Sequence, residues 1–292
     1  MNRCLALIGA LILAFISVSS ACTAAPTEFV HFSLEPERGA PDRIQVSFRK
    51  DSNGHNENSW STGFRPADLV GLDLAGFRGA GSRPISFAIV REAGRLDCSG
   101  HGGDSYAAGY CNFTVNPGFM QLLESRGIGR PTDEQAFGLM AVNARREVID
   151  AVASAHYPTP SIDDLMALSA LGVDGAYISE MARAGYRPRN IDTLIQFKAL
   201  NITPDWIRQF VDIGYGNLPA DDLVQLKALD ITPAFIAGFD RIGYRHLPID
   251  ELVQLKALNI TPDFVQRVAA ADQSKPTVDK LVQIKAFADR KH

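Results

Sequence analysis

Residues able to run acid–base or metal chemistry are few in this chain, and their spacing suits it poorly. The six histidines are His31, His55, His101, His156, His246 and His292. No two stand four residues apart on a helix pattern, the spacing that brings two imidazoles to one metal ion. Two stretches place histidine near oxygen ligands: His55-Asn56-Glu57, and His101 with Asp104. Brought together they could hold a metal, or share a proton in hydrolysis. Both read as loops, where solvated polar residues are the norm, so the hydrolase reading ranks last. The sequence has no HExxH, GxSxG, Walker or dinucleotide-binding glycine pattern. The residues nominate no catalytic group, no metal ligands and no cofactor, and the protein is expected not to be an enzyme.

Cysteine gives a firmer signal. Met1-Asn2-Arg3, an apolar run from Leu5 to Val18 and small residues up to Ala25 read as a secretory signal, residues 1–25, cut near Ala24 or Ala25. The run is about 14 residues, short of the roughly 20 that a membrane-spanning helix needs. A retained anchor is one alternative. Lipoprotein anchoring at Cys22 is another, although Ser19-Ser20-Ala21 lacks the aliphatic residue a lipobox wants. With Cys4 and Cys22 in this region, Cys98 and Cys111 remain for the folded part. A periplasmic or secreted chain meets an oxidising compartment, so this pair is expected to form a disulfide rather than two buried thiols.

The strongest pattern is a period of 29 residues. Ile128, Tyr157, Tyr186, Tyr215 and Tyr244 form one row, and Leu165, Leu194, Leu223, Leu252 and Leu281 another. Such a period is the signature of stacked repeats. In the unit from Pro219 to Leu247, Leu223, Leu226 and Leu229 have helical spacing, with Asp221 and Asp222 in the first turn. Thr232-Pro233 then supplies an N-cap and a first-turn proline for a second helix. Gly243 ends that helix in a left-handed conformation, and Tyr244 makes the accompanying apolar contact. Each unit is therefore a short helical hairpin, too short to stand alone in water. About six units run from Asn116 to the C-terminus. The tyrosines read as buried helix-end rings rather than as a ligand ladder.

Two polar rows share the period and are the candidate binding strip: Gln196, Gln225, Gln254 and Gln283, and Lys198, Lys227, Lys256 and Lys285. Stacking would align them on one face for an acidic or extended partner. The plainer alternative is lysine complementing a helix C-terminus and glutamine serving as a solvated helix former. Asp163, Asp192, Asp221, Asp250 and Asp279 make a matching row at helix N-termini.

Before Asn116 the periodicity changes to two. Val30, Phe32 and Leu34, then Ile44, Val46 and Phe48, then Ile85, Phe87 and Ile89, read as half-buried strands. Leu96–Cys98 and Tyr110–Val115 read as a hairpin around a glycine-rich turn from Gly100 to Gly109. Asp51 to Ser61 reads as a mobile loop and Pro66 to Leu74 as a short helix. The expected fold class is α+β: a small antiparallel β domain, residues 26–115, followed by an α-helical hairpin solenoid, residues 116–292. The net charge of −4 argues against a nucleic-acid partner. No segment after the signal could cross a membrane.

Phe87-Ala88-Ile89-Val90-Arg91-Glu92-Ala93-Gly94, Asn112-Phe113-Thr114-Val115-Asn116-Pro117-Gly118-Phe119 and the repeated Leu-Lys-Ala-Leu-Asn-Ile-Thr-Pro units resemble one bacterial extracytoplasmic module. It is similar to the C-terminal region behind BlaR-type membrane metallopeptidases, also seen as stand-alone secreted proteins. The peptidase signature is missing here, so no catalytic residue carries over. The resemblance implies an extracytoplasmic sensor or interaction module. The expected function is thus a scaffold binding a protein or peptide partner in the cell envelope, with envelope sensing as one role. A cell-wall polymer binder, using Trp60 in the β domain, is the alternative.

Overall fold

The computed structural model describes residues 30–50, 58–184, 186, 190–272 and 274–289. The stretch read as a secretory signal, Cys4, Cys22, the His55–Glu57 group and His292 lie outside the described residues. The architecture is α+β, an antiparallel sheet followed by helices.

Six strands form the sheet: β1 (Val30–Glu37), β2 (Ala40–Lys50), β3 (Asn58–Phe64), β4 (Arg83–Arg91), β5 (Gly94–Gly103) and β6 (Tyr106–Val115), in the order β3-β2-β1-β6-β5-β4. Every pairing is antiparallel. Alternation puts Phe32, Leu34, Val46, Phe48, Phe87 and Leu96 on the buried face. Cys98 pairs directly with Cys111 across β5 and β6, and the two form a disulfide.

Three local expectations need correction. The described part of the stretch read as a mobile loop, from Asn58, is strand β3. Its inward residue Trp60 stacks on Phe48 at 4.6 Å, and the outward Ser61 and Ser47 hydroxyls pair at 2.7 Å. Serine on the open face hid the alternation. The glycines from Gly100 to Gly109 belong to β5 and β6. A Cβ at Gly100 would sit 2.1 Å from the Ala108 carbonyl oxygen, and one at Gly109 2.2 Å from that of Ser99. These glycines permit close strand approach. The turn itself is only Asp104 and Ser105, with φ of 53° and 64°, the primed geometry a two-residue hairpin wants. Last, Pro66 to Leu74 is not one helix. A single 3-10 turn covers Pro66–Asp68, and α1 (Leu74–Arg78) starts later. Between them Gly71 takes φ +84°, and Val70 bridges to Ala88 on the β4 edge.

Twelve helices follow among the described residues: α2 (Pro117–Ser125), α3 (Asp133–Ala141), α4 (Arg146–Ser154), α5 (Ile162–Ala170), α6 (Gly175–Arg183), α7 (Ile191–Ala199), α8 (Pro204–Val211), α9 (Ala220–Ala228), α10 (Pro233–Asp240), α11 (Ile249–Ala257), α12 (Pro262–Asp272) and α13 (Val278–Asp289). Thr203 and Thr232 cap α8 and α10, accepting from the Trp206 and Phe235 amides at 3.1 and 3.2 Å. At the other end, the amides of Ile128, Tyr157, Tyr186, Tyr215 and Tyr244 donate five residues back, the Schellman bond. A second row does the same for the first helices. Asn143, Gly172, Asn201, Asp230 and Asn259 are left-handed, and Ala144, Val173, Ile202, Ile231 and Ile260 close the bond and are buried. Close approach between successive units runs from α3 to α5, α5 to α7, α7 to α9, α9 to α11 and α11 to α13.

Sheet and helices meet at the β4–β5 turn. Arg91 donates to the carbonyls of Met140 and Ala141 at 2.7 and 2.6 Å, at the end of α3. The neighbouring Glu92 carboxylate accepts the Arg146 amide at 2.8 Å, at the start of α4. One dipeptide thus satisfies opposite orphan ends of two helices. The hydrophobic core does not break here. It runs from Val30 to Leu223, and a second cluster runs from Phe210 to Leu281.

Candidate functional site

The two polar rows have different surroundings. Gln196, Gln225, Gln254 and Gln283 are exposed. The lysines two positions on are half-buried, and three lie over aromatic rings of the preceding unit. Lys198 Nζ is 4.6 Å from the Tyr177 ring centroid, Lys227 Nζ 5.1 Å from Trp206 and Lys256 Nζ 5.2 Å from Phe235. Lys256 also donates to the Asp230 carbonyl at 2.8 Å. Lys285 holds the same column on α13, with Phe264 in the aromatic column on α12. The aromatic row Tyr177, Trp206, Phe235 shares the 29-residue spacing, a signal available in the sequence that went unread. A cation over a ring gains about 0.5–1 kcal/mol at exposed sites. These lysines therefore tie the first helix of one unit to the second helix of the unit before it.

Carboxylates lie at the opposite end of the first helices. Burial raises the Asp222 pKa above the usual carboxylate range, with Asp221 and Asp250 adding to the rise. Glu251 is raised in the same way, by burial first and then by Asp250 and Asp279. Acids of neighbouring units therefore feel each other. The first-helix face grades from an acidic edge, through exposed glutamine, to lysines drawn down onto rings.

The tyrosine row joins units. The Tyr215 hydroxyl donates to the Leu247 carbonyl at 2.8 Å, Tyr157 to that of Tyr186 at 3.3 Å, and Tyr244 to that of Pro276. Burial pushes the Tyr186 and Tyr215 hydroxyls up to about 12, with Asp222 and Asp240 adding to it respectively. Tyr177, outside this row, donates to the Ile202 carbonyl at 2.8 Å.

The other sequence candidates are scattered. His101 is exposed on β5, in a strand rather than a loop. The Asp104 carboxylate accepts the Gly81 amide at 3.3 Å, and its own amide donates to the Gly79 carbonyl at 2.7 Å, which fastens the hairpin turn. No group of three or more His, Cys, Asp or Glu residues able to hold a metal ion occurs among the described residues. Trp60 is half-buried between Phe48 and Phe137, the latter at 5.0 Å edge-on, so it offers no open ring platform.

Two surface cavities involve the sheet. One, of about 530 Å³, lies along His31, Ser33, Ser47, Arg49 and Tyr110, beside Tyr106. Tyr106 and Tyr110 are 55% and 52% exposed, and the His31 ring sits 4.6 Å from that of Tyr110. The other, of about 490 Å³, opens between β3 and helices α3 and α5. No described helix is long and apolar enough to cross a membrane. No protein-family model and no curated protein sequence matches this chain.

Proposed function

We propose that the chain is a non-enzymatic, extracytoplasmic interaction module whose helical array, stacked as a solenoid, binds a protein or peptide partner in the cell envelope. The exposed glutamine row carries this reading. Four identical side chains recur at one place on successive first helices, and three of the lysines beside them are held over rings. A regular amide row on a rigid face suits an extended partner, since each amide both donates and accepts. The Cys98–Cys111 disulfide fits an oxidising compartment. The resemblance read in the sequence to the region behind BlaR-type metallopeptidases would imply a sensing role.

The test is capture from an envelope extract by the purified protein, set against a variant with Gln196, Gln225, Gln254 and Gln283 all changed to Glu. The variant is expected to fold and lose the partner. Equal recovery by both would sink the proposal.

A second reading, binding to cell-wall polymer, is favoured by the open sheet face. Tyr106 and Tyr110 are exposed beside Ser33 and Ser47, a combination suited to polyols. Retention on purified cell wall, lost in a Tyr106→Ala/Tyr110→Ala protein, would support it. No retention of the unaltered protein removes it.

A further inference from the structure

The glutamines share their helix face with a second row. Asp221 stands four residues before Gln225 on α9, and Asp250 four before Gln254 on α11. Asp192 with Gln196 repeats the pair on α7, and Asp279 with Gln283 on α13. A spacing of four puts acid and amide on one face, about 5–6 Å apart. All of these residues are exposed. Helix α5 departs from the pattern: Asp163 accepts from the Gln135 side chain at 3.1 Å, and Ala167 takes the glutamine place. The double row therefore begins at α7. None of Asp192, Asp221, Asp250 and Asp279 pairs with a cation among the described residues. Burial is the first cause of the raised Asp222 and Glu251 pKa values, and Asp250 and Asp279 from the next units add to it, so the acids of successive units share one field.

The interval between units selects the occupant's backbone. Close approach links α7 to α9, α9 to α11 and α11 to α13. Packed helix axes lie about 8–10 Å apart. An α-helix brings a face round every turn of about 5.4 Å. A strand repeats its face every second residue, about 6.8 Å. A polyproline II helix repeats every third residue, about 9.3 Å, which alone falls inside the interval. Its backbone makes no internal hydrogen bonds, so its carbonyls are open to donors. The glutamine amide nitrogen is such a donor.

We infer that the glutamine and aspartate rows together bind a polyproline II segment with a lysine or arginine at every third position. The segment crosses the first helices at one turn per unit. Its cations face the four aspartates, and the glutamines donate to its carbonyls, which a carboxylate in their place cannot do. Charge complementarity holds the segment, and the match of the two periods fixes its register. The inference rests on reading this face as the partner surface of a stacked array, and adds the chemistry of the partner.

The probe is a synthetic peptide of four Lys-Pro-Pro triplets, titrated against the whole chain by fluorescence anisotropy. A peptide of the same composition with its lysines adjacent tests the register, and one of four Ser-Pro-Pro triplets tests the charge. The Lys-Pro-Pro peptide is expected to bind at least roughly fivefold tighter than either. Asp221→Asn/Asp250→Asn should weaken it about threefold to fivefold, the scale of two exposed ion pairs. Gln225→Met/Gln254→Met should weaken it as well. Asp212→Asn/Asp263→Asn, on the second helices, removes as much charge and should leave binding unchanged. Far-ultraviolet circular dichroism checks the fold of each variant, and the register comparison uses the unaltered protein. The inference is overturned if the triplet peptide does not bind, if the adjacent-lysine or serine peptide binds as tightly, or if the second-helix variant loses as much as the first-helix one. Failure of the peptide, with envelope capture still lost by the four-glutamate protein, overturns this inference and leaves the module reading in place. Register-dependent peptide binding with equal envelope capture supports this chemistry and removes the envelope partner.

Discussion

In the sheet, consecutive strands pair with each other, and one long-range pairing, β1 with β6, closes the whole. Val30 pairs with Lys50 on one side and with Cys111 on the other. In the array, neighbours are about one unit away, as when α5 meets α7 or Tyr215 reaches Leu247. Closing long loops costs chain entropy before any contact repays it, whereas a stack grows by adding like units. The sheet therefore depends on its single long-range pairing, beside the β5–β6 hairpin that the disulfide staples. The array is a row of contacts between neighbouring units, built from related residues. The division also separates two ways of presenting a surface: one flat face built once, and one motif repeated.

The largest expected break is in the array. Phe239 is 1% exposed in the C-terminal cluster, and Phe239→Ala should cost about 3–5 kcal/mol. Hydrogen exchange should show protection lost in α9 to α13 while β1 to β6 keep theirs. Uniform loss would mean that the two regions unfold as one. Next comes the disulfide. Replacing Cys98 and Cys111 by serine removes a cross-link that encloses about a dozen residues and should cost about 3 kcal/mol. Here the sheet amides should lose protection while α9 to α13 keep theirs, the mirror image of the first result.

The joint is third. Burial lowers the pKa of Arg91, which still gives two hydrogen bonds to the end of α3. Arg91→Met takes the Arg91 donor from the Ala141 carbonyl and one of the donors from that of Met140, which keeps the Asn143 amide, and should cost about 1.5–3 kcal/mol. Thermal unfolding should separate into two transitions if Arg91 and Glu92 couple the regions. A single unbroken transition would show that the shared core alone couples them.

The smallest effect is electrostatic. Asp222 and Glu251 have raised pKa values in the folded array. Their contribution to stability is complete below the unfolded-state values of about 4 and is lost as pH rises through the raised folded values. The protein with Asp222→Asn and Glu251→Gln should lose less stability between pH 4 and 7 than the unaltered one, by about 0.5 kcal/mol or less. Urea midpoints at the two pH values measure it. A steeper loss in the variant would contradict the sign.

How much was legible follows the same division. The helices were readable because Leu194, Leu223 and Leu252 repeat one environment, and because Thr203-Pro204 and Gly243-Tyr244 carry local chemistry for a start and a stop. The strands around Phe32, Val46 and Phe87 were readable from alternation. Three things were not. Gly100 and Gly109 look like turn residues, because a close backbone approach leaves no mark distinct from a left-handed turn. In β3, Asn58, Ser59 and Ser61 look like loop, because an open sheet face tolerates serine. Arg91 and Glu92 cap helices that lie about 50 residues further along the chain, so no local rule finds them. The aromatic row under the lysines was within reach: Tyr177, Trp206 and Phe235 keep the period that revealed everything else in the array. That row changes what the lysines mean, since the strip read as one polar surface divides into a tethered half and an exposed half.

The exposed half is the point on which the functional reading turns. Photo-crosslinking residues placed singly at Gln225 and Gln254 on the first helices, at Arg208 on the second helix α8 and at Arg241 at the end of α10, would locate the proposed partner. The account predicts an adduct of one common mass from positions 225 and 254 and none from 208 and 241. Adducts from the second-helix positions alone, or equally from all four, would contradict it.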